Sequence, residues 1–390
     1  MFNMHVSKYF FTLQTVQLIG FSVALAISYL ITPFIQSRAL KLGVLDKPSK
    51  RKLHTTPIPR LGGVSIYTSL FLTSLIFVTA YLNYRTSTVG SFTLLGIFAG
   101  GTIIFFLGLL DDIESINPFI KLFVQIAAAS VSWLLGVRIV QVANPLYHSN
   151  LLLFQISVGD QVIAFNTVLS YLLTVLWIVG ITNAINLIDG MDGLATGISI
   201  ISAIAIWAVA VDFRINQPAG ALMAATLAGA LLGFLRWNFN PARIFLGDSG
   251  AYLTGFILAS LTVSCVVKKV TLVVMTPVLI LIFALPILDT AFAIIRRLLR
   301  GKPILEPDKE HLHHRILAIG LSQKRASYIL YFISGILGIW ATCLISGKSF
   351  YRFMILSALI VGIALFYACI INWKHQKLLR NLFIKNNPDE

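Results

Sequence analysis

Long apolar runs follow one another along the chain and are separated by short polar segments. Each run has about 18 to 25 residues, the length that an α-helix needs to cross the hydrocarbon core of a bilayer. The pattern therefore predicts an all-α, polytopic membrane protein with about 11 transmembrane helices. The predicted spans are 13–36, 61–82, 91–110, 118–136, 166–184, 194–211, 218–236, 249–267, 271–295, 326–345 and 353–372.

One segment between the fourth and fifth spans has the alternating pattern of strands instead. Its residues 155–163 alternate between apolar and polar side chains around the pair Gly159–Asp160. A Gly–Asp pair between two short alternating runs is typical of a tight turn. We therefore expect a small outer β-hairpin between helices 4 and 5, and we assign no chemistry to it.

The distribution of charge predicts how the helices are oriented. Hydrophobic residues make up 57% of the 390 residues and charged residues only 12%, which excludes an ordinary soluble domain. If the N-terminus lies outside the cell, 22 of the 30 Lys and Arg residues fall on the inner side. The positive-inside rule favours this orientation and a cytoplasmic C-terminus. The predicted cytoplasmic loops are 38–60, 111–117, 185–193, 237–248 and 296–325.

The net charge of +15 follows from this topology and from contact with anionic membrane lipid. No nucleic-acid partner is therefore expected. The three cysteines lie in apolar runs without the spacing of metal ligands, so we interpret them as core residues.

Carboxylates interrupt the apolar pattern at the inner ends of several spans. Asp111 and Asp112 end the third span, where two adjacent acids repel each other and oppose the helix dipole. Asn186, Asp189 and Asp192 recur every three residues and would share one face of a helix. Placing an ionisable side chain near hydrocarbon costs roughly several kcal/mol, so such a residue usually belongs to a functional site. The simpler interpretation is that these acids are solvated at loops and helix ends.

Two further segments carry polar groups beside a span. Asp248 stands where the eighth span begins, so it is either an N-cap or, with Arg243 and Phe245 nearby, part of a ligand site. The ninth span contains Asp289 and leads into a basic loop with a cluster of histidines. Imidazole and guanidinium groups together favour phosphate, since the cations would repel a transition metal. The clustered histidines are His311, His313 and His314.

The first inner loop is basic and broken by prolines. Pro48, Pro57 and Pro59 precede Arg60 and the pair Gly62–Gly63. The loop either serves the topology alone or has a fixed shape that brings cations and backbone N–H groups to an anion. The sequence leaves both alternatives open.

All five polar segments fall on the predicted cytoplasmic side, so one site can collect them. Carboxylate oxygens suit Mg²⁺, with Mn²⁺ as an alternative, and Lys, Arg and His suit phosphate. This combination at a membrane boundary indicates phosphoryl chemistry between a water-soluble nucleotide and a lipid. We therefore interpret residues 1–390 as a single integral membrane catalytic domain.

Four motifs carry a resemblance to a known family: Asp111–Asp112, the run 186–193, the run 245–250 and the run 311–314. In this order they resemble the polyprenyl-phosphate N-acetylhexosamine-1-phosphate transferases, over residues 46–325. The His-Leu-His-His form and the first inner loop resemble the branch that uses GlcNAc. This resemblance implies transfer of GlcNAc-1-phosphate from UDP-GlcNAc to undecaprenyl phosphate, with release of UMP. It implies a bacterial inner-membrane enzyme in cell-envelope polysaccharide synthesis, such as that of O-antigen or teichoic acid.

The resemblance also implies roles for individual residues. Mg²⁺ would be held by Asp248, Asp111 and Asp112. The other expected catalytic residues are Asp189, Asp192, His311, His313 and His314. Substrate binding is expected of Lys52, His54, Asn183, Asn186, Asn238, Phe245, Arg300 and Arg315, with Phe245 stacked on uracil.

The mechanism implied is direct attack of a lipid phosphate oxygen on the β-phosphorus of UDP-GlcNAc. Asp111 is then either a general base or a group that orients the phosphate, and a route through an aspartyl intermediate stays open. Another UDP-N-acetylhexosamine or UDP-MurNAc-pentapeptide is an alternative donor, and a homodimer is an open alternative for the assembly.

Two rival interpretations come from other classes. An ion-coupled transporter also places acids in broken helices, but near the membrane midplane and in internal repeats, which we do not find in the sequence. A transferase of CDP-activated lipids has an Asp-Gly-x-x-Ala-Arg signature that residues 192–195 partly match. Thr196 occupies the place of its Ala and no Arg follows.

Overall fold

The computed structural model describes residues 2–48, 56–84, 88–139, 141–143, 162–164, 167–212, 215–267, 272–301 and 312–346. These residues are helical except for loops and two small sheets, which confirms the all-α class. The first eight helices are α1 Phe2–Leu42, α2 Gly62–Tyr84, α3 Thr88–Ile113, α4 Pro118–Leu134, α5 Thr167–Ile188, α6 Leu194–Val211, α7 Pro218–Asn238 and α8 Gly247–Thr262. A π-helical turn, Val263–Val267, extends α8, and the later helices are α9 Leu272–Ile282, α10 Ala284–Leu299, α11 Leu312–Ala318 and α12 Gln323–Ser346.

The helices of a membrane protein are recognised by their length and apolar composition. Among the described helices, six are long and apolar enough to cross a bilayer, namely Gln14–Leu42, Phe92–Ile113, Thr167–Ile188, Leu194–Val211, Pro218–Asn238 and Gln323–Ile345. Two shorter apolar helical stretches are Gly62–Phe77 and Pro118–Leu134. A polytopic membrane protein is therefore confirmed, whereas the total of 11 spans stays a prediction. The predicted eleventh span, 353–372, lies outside the described residues.

Helix α8 is the centre of the bundle. All of its residues except Asp248 are buried, and α3 and α5 both pack along it. A helix that is apolar on every side must be covered by other helices. On outer helices the apolar side chains face away from the bundle, and Leu30, Phe123 and Leu176 are each 72% exposed. Apolar surface of this extent is stable in contact with lipid.

The prediction of one uninterrupted ninth span, 271–295, is wrong, because two helices meet there at Phe283. Pro286 lies in the first turn of α10 and has no N–H to donate to the carbonyl of Ile282. The hydroxyl of Ser202 on α6 donates to that carbonyl over 3.0 Å. A side chain from a neighbouring helix thus satisfies the group that the proline leaves free.

The outer segment between α4 and α5 contains a small antiparallel sheet. Strand β3 Gln141–Ala143 pairs with β4 Val162–Ala164, and Val142 is opposite Ile163. Among the described residues, the strand that pairs with 162–164 is 141–143, and the first half of the expected hairpin, 155–158, lies outside them. The amide of buried Ile139 donates to the hydroxyl of Thr174 over 3.0 Å and so fastens the chain after α4 to α5. The predicted turn at Gly159–Asp160 lies outside the described residues.

Candidate active site

The first turn of α8 packs closely against α2 and α3, and the contact residue on each of these helices is a glycine. A Cβ atom added to Gly63 on α2 would lie 2.6 Å from the carbonyl carbon of Ser249. One added to Gly108 on α3 would lie 2.6 Å from the carbonyl oxygen of Asp248. Both contacts are with backbone, which cannot rotate away, so only glycine allows this close approach. The two glycines thereby bring Asp248 next to the start of α2 and the end of α3.

Asp112, at the end of α3, closes the first turn of α8. Its Oδ1 accepts from the Asp248 amide over 2.8 Å, and its Oδ2 accepts from the amide and hydroxyl of Ser249 over 3.0 and 2.6 Å. The free N–H groups of a helix start are thus satisfied by a carboxylate from another helix. The simpler interpretation of Asp248 as the N-cap is therefore wrong, since Asp112 has the capping function.

Replacing Asp112 tests this capping function. Asp112→Asn keeps one acceptor oxygen but replaces the other by an NH2 group that faces an N–H donor of α8, so we expect a loss of about 1–3 kcal/mol of stability. Ser249→Ala removes only one of the three hydrogen bonds and should lower the thermal unfolding temperature less. Thermal unfolding of both variants in detergent measures the order. Equal unfolding temperatures for Asp112→Asn and the unchanged protein would contradict the assignment.

The side chain of Asp248 accepts hydrogen bonds from two other segments and lies near a second carboxyl group. Its Oδ1 accepts from the Asn186 amide group over 2.7 Å, and its Oδ2 accepts from Arg60 Nη2 over 3.3 Å. Burial, together with the neighbouring carboxyl group of Asp111, raises the pKa of Asp248. Two neighbouring carboxyl groups repel each other unless a proton or a cation lies between them. The arrangement therefore favours a bound cation between Asp111 and Asp248.

Asp111 has two partners of its own beside the next helix. Its Oδ1 accepts from the amide of Ile116 over 2.9 Å, and its Oδ2 forms an ion pair with Lys121 on α4. The side chain of Asp111 is 2% exposed, so this ion pair is largely shielded from water. Lys121 was not among the predicted site residues, although it is a lone cation near the end of an apolar helix.

Arg60 is the largest omission from the predicted site. Its Nη1 lies 3.6 Å from Asp46, its Nε 3.7 Å from Asp112 and its Nη2 3.3 Å from Asp248. Strand β1 Leu45–Asp46 pairs with β2 Ile58–Pro59, which places Asp46 and Arg60 together. The amide of Phe245 donates to Pro59 over 2.8 Å and joins this loop to the segment before α8. The described ends of this loop, strands β1 and β2, are therefore paired with each other, and Arg60 faces carboxylates.

Asp189 completes the acidic cluster after the end of α5. Although part of its surface is exposed, burial raises the pKa of Asp189 to about 8, and the nearby Asp248 and Asp112 add to the rise. The group therefore binds a proton near neutral pH unless a cation reduces the negative charge around it.

The donor set fits a hard divalent cation. The described residues contain no ready cage of three or more metal ligands. Mg²⁺ does not need one, because it is usually held by one or two carboxylates, water and substrate phosphate. The neighbouring carboxyl groups of Asp111 and Asp248 supply two such ligands. Both oxygens of Asp112 accept hydrogen bonds from α8, so Asp112 supports the helix turn that carries Asp248, and its expected role as a metal ligand stays a prediction.

The sequence spacing suggested that Asn186, Asp189 and Asp192 share one face of a helix. The structure does not place Asp192 on that face. Helix α5 ends at Ile188, and a turn containing Gly193 at φ +74° leads into α6. Asp192 Oδ2 accepts from the side chain of Asn240 over 2.8 Å and from the amide of Ala242 over 3.0 Å. Asp192 thus holds the loop between α7 and α8.

Two of the expected substrate-binding amides are engaged inside the bundle. Asn183 is paired with Gln125 on α4, with its Nδ2 2.7 Å from Gln125 Oε1. Asn238 is 2% exposed, and it accepts from Thr196 and donates to the carbonyl of Ile244. The structure places both as supports, whereas Phe245 is partly exposed beside Asp248. Arg243 lies over the ring of Trp237, 5.7 Å from its centroid, although the sequence grouped it with Asp248.

The histidine motif begins at a defined place. Buried Asp289 on α10 accepts from the amide of Leu312, the first residue of α11, over 2.7 Å. This bond ties the start of α11 to the bundle. Arg300 and Arg315 are exposed at the same end. Lys52, His54 and His311 lie outside the described residues, and the side chains of His313 and His314 are not described either.

Fold and site together define an integral membrane protein with an acidic, cation-seeking site at one end of its helix bundle. Residues 94–266 match the family model described as glycosyl transferase family 4. The chain is 36% identical over 352 residues to the "Probable undecaprenyl-phosphate N-acetylglucosaminyl 1-phosphate transferase" of Bacillus subtilis (strain 168), covering 88% of this chain and 89% of that protein. The chain therefore belongs to glycosyl transferase family 4, among the polyprenyl-phosphate N-acetylglucosamine-1-phosphate transferases.

Two other relatives agree. The "Decaprenyl-phosphate N-acetylglucosaminephosphotransferase" of Mycolicibacterium smegmatis is 33% identical over 381 residues, or 92% of this chain and 88% of that protein. The "Undecaprenyl-phosphate alpha-N-acetylglucosaminyl 1-phosphate transferase" of Escherichia coli (strain K12) is 27% identical over 309 residues, or 78% and 77% of the two chains. The resemblance found in the four motifs is thereby confirmed.

Proposed function

We propose that this protein transfers GlcNAc-1-phosphate from UDP-GlcNAc to undecaprenyl phosphate and releases UMP. The observation that carries the proposal is the cluster of carboxyl groups at the start of buried helix α8, where Asp248 is bonded to Asn186 and Arg60, and Asp112 accepts from the first turn. The neighbouring carboxylates of Asp111 and Asp248 can bind a divalent cation. Arg60 and Lys121, which lie beside them, can bind a diphosphate at the same place. The names of the relatives support a GlcNAc donor and a polyprenyl phosphate acceptor.

The site faces the cytoplasm in this proposal, in a bacterial inner membrane crossed by 11 helices. The concentration of 22 of the 30 Lys and Arg residues on the loops of one side supports this orientation. UDP-sugars are made in the cytoplasm, so the donor reaches the site from water. The acceptor reaches it along the bilayer.

The cofactor we propose is Mg²⁺, held by Asp248 and Asp111. When bound, it neutralises the charge of the diphosphate and of the leaving UMP. Asn186 and Arg60 keep the Asp248 carboxylate in place from either side. Asp112 holds the helix turn from which Asp248 extends. The residues of this chain thus arrange the acids before any substrate binds.

For the transfer itself we propose direct displacement. The second pKa of a phosphate monoester is about 6, so most of the attacking lipid phosphate has lost its second proton at neutral pH. The Asp111 carboxylate is already engaged by Lys121 and by the amide of Ile116. We therefore assign Asp111 to orienting the phosphate and holding the cation. His313, His314, Arg300 and Arg315 are proposed to contact the diphosphate or the sugar.

A direct assay tests the reaction. Full-length purified protein with UDP-GlcNAc, undecaprenyl phosphate and Mg²⁺ should release UMP and lipid-linked GlcNAc in equal amounts. Leaving out the lipid should stop UMP release, and EDTA should abolish it until Mg²⁺ is added back. Parallel assays with UDP-GalNAc and UDP-MurNAc-pentapeptide decide the donor. A protein that moves an ion across vesicles and makes no UMP would be a transporter instead.

A further inference from the structure

A second polar surface lies at the same end of the bundle, formed by the end of α7, the loop after it and the start of α12. It is a groove of about 560 Å³. The apolar residues lining it are Leu232, Leu235 and Phe239, and the basic ones are Arg236, Arg243 and Lys324. We name these six residues the basic groove.

The cations of the basic groove are available to an anion. Within the part of the chain that the structure describes, no carboxylate lies within ion-pair distance of Arg236, Arg243 or Lys324. Arg236 and Arg243 both lie near the ring of Trp237, at 5.9 and 5.7 Å from its centroid. No carboxylate lines the groove, so it does not suit a metal-bound nucleotide. Its charge therefore favours a single phosphate without a divalent cation.

The position of the basic groove indicates a lipid as the source of that phosphate. The Trp237 N–H donates to the carbonyl of Tyr29 over 3.1 Å, and the two rings are 5.6 Å apart. Trp237 lies at the end of α7, and Trp and Tyr side chains at the ends of membrane helices are enriched at the level of the lipid headgroups. Leu232 is one turn further into the membrane than Arg236 and is 39% exposed. The apolar wall thus continues into the bilayer directly below the cations.

We propose that the basic groove binds the headgroup of an anionic phospholipid of the phosphatidylglycerol type, with one acyl chain along Leu232 and Leu235. This lipid is distinct from the polyprenyl phosphate acceptor. Binding reinforces the loop between α7 and α8, whose other side is fastened to Asp192 through Asn240. Asn240 also donates to Gln323 at the start of α12, next to Lys324. The lipid therefore joins the same two segments from outside.

The test uses full-length protein, delipidated in neutral detergent and then mixed with phosphatidylglycerol or with phosphatidylcholine. Phosphatidylglycerol should raise the thermal unfolding temperature of the unchanged protein, and phosphatidylcholine should not. The triple variant Arg236→Gln, Arg243→Gln, Lys324→Gln should bind phosphatidylglycerol about 100-fold more weakly, since each basic residue near a membrane contributes about fivefold. Native mass spectrometry counts the phospholipids that stay bound.

A matched control removes the same number of charges outside the groove. Arg38→Gln, Lys41→Gln, Arg325→Gln lies near the same end of the bundle and should bind phosphatidylglycerol as the unchanged protein does. Equal weakening in both triple variants would overturn the proposal in favour of diffuse charge. Stabilisation by inorganic phosphate alone would show an ion site, and displacement by farnesyl phosphate would show a prenyl phosphate site; either result would overturn it. UMP release without added phospholipid shows that the variants are folded.

Discussion

Asp248→Asn is expected to lower the rate of UMP release by about 100- to 1000-fold, the range seen when one preorganised charged group is removed from a reaction centre. The asparagine can still bond to Asn186, but it loses the negative charge that faces Asp111 and Arg60. A divalent cation then has one carboxylate ligand in place of two. The measurement is UMP release at saturating UDP-GlcNAc and Mg²⁺.

Stability separates this effect from a folding defect. Asp248→Asn removes the repulsion between neighbouring carboxyl groups, so the unfolding temperature should not fall. Asp212→Asn is a matched control, since Asp212 follows the far end of α6 and should leave UMP release unchanged. Full activity of Asp248→Asn would refute the metal assignment. If Asp111→Asn keeps near-normal turnover at pH 8, Asp111 is not the general base, and the role of Asp248 is unaffected.

Arg60→Gln should lower the turnover number by about 10- to 100-fold. Three carboxylates then lose the guanidinium group that holds them in position. The same substitution should lower the Mg²⁺ concentration required for half-maximal rate. Arg60 and Mg²⁺ are both attracted to Asp248, so removal of the guanidinium strengthens binding of the metal. A titration of the rate with Mg²⁺ measures both effects.

Arg60→Lys serves as the conservative control. Lysine keeps the charge but cannot reach Asp46, Asp112 and Asp248 at once with a single ammonium group. We expect an intermediate turnover number and little change in the Mg²⁺ requirement. A higher Mg²⁺ requirement in Arg60→Gln would indicate that the loop has collapsed, and the proposed role of Arg60 in positioning Asp248 would be wrong.

The central acids of the site were predictable because charge is costly in a membrane. Asp111, Asp112, Asp189 and Asp248 each interrupt an apolar run, and the structure brings all four together. The different role of each acid was not predictable. Asp111 and Asp112 are neighbours in sequence, yet one faces Asp248 and the other caps α8. Adjacent residues on a helix point about 100° apart, so only the packing of α8 decides which one reaches the reaction centre.

Arg60 and Asp289 show a different limit. Arg60 was noticed in the sequence as a cation for an anionic ligand, and nothing local indicated its carboxylate partners 14, 52 and 188 residues away. Asp289 was noticed as an acid in an apolar run, but its partner is the amide of Leu312. A backbone N–H has no signature in the sequence, so supports of this kind appear only in three dimensions.

By itself, the sequence determined that this is a helical membrane protein with acids at the ends of its spans, and four motifs were sufficient to identify the family. Apolar run length and charge placement act locally, because each helix satisfies its own backbone in lipid. The tertiary structure alone decided which polar groups meet at Asp248 and which serve as supports. Asn183, Asn238 and Asp192 became supports, because their partners come from other helices and loops. Such pairings depend on how the helices pack, and at Asp248 itself Gly63 and Gly108 set how closely α2 and α3 approach α8.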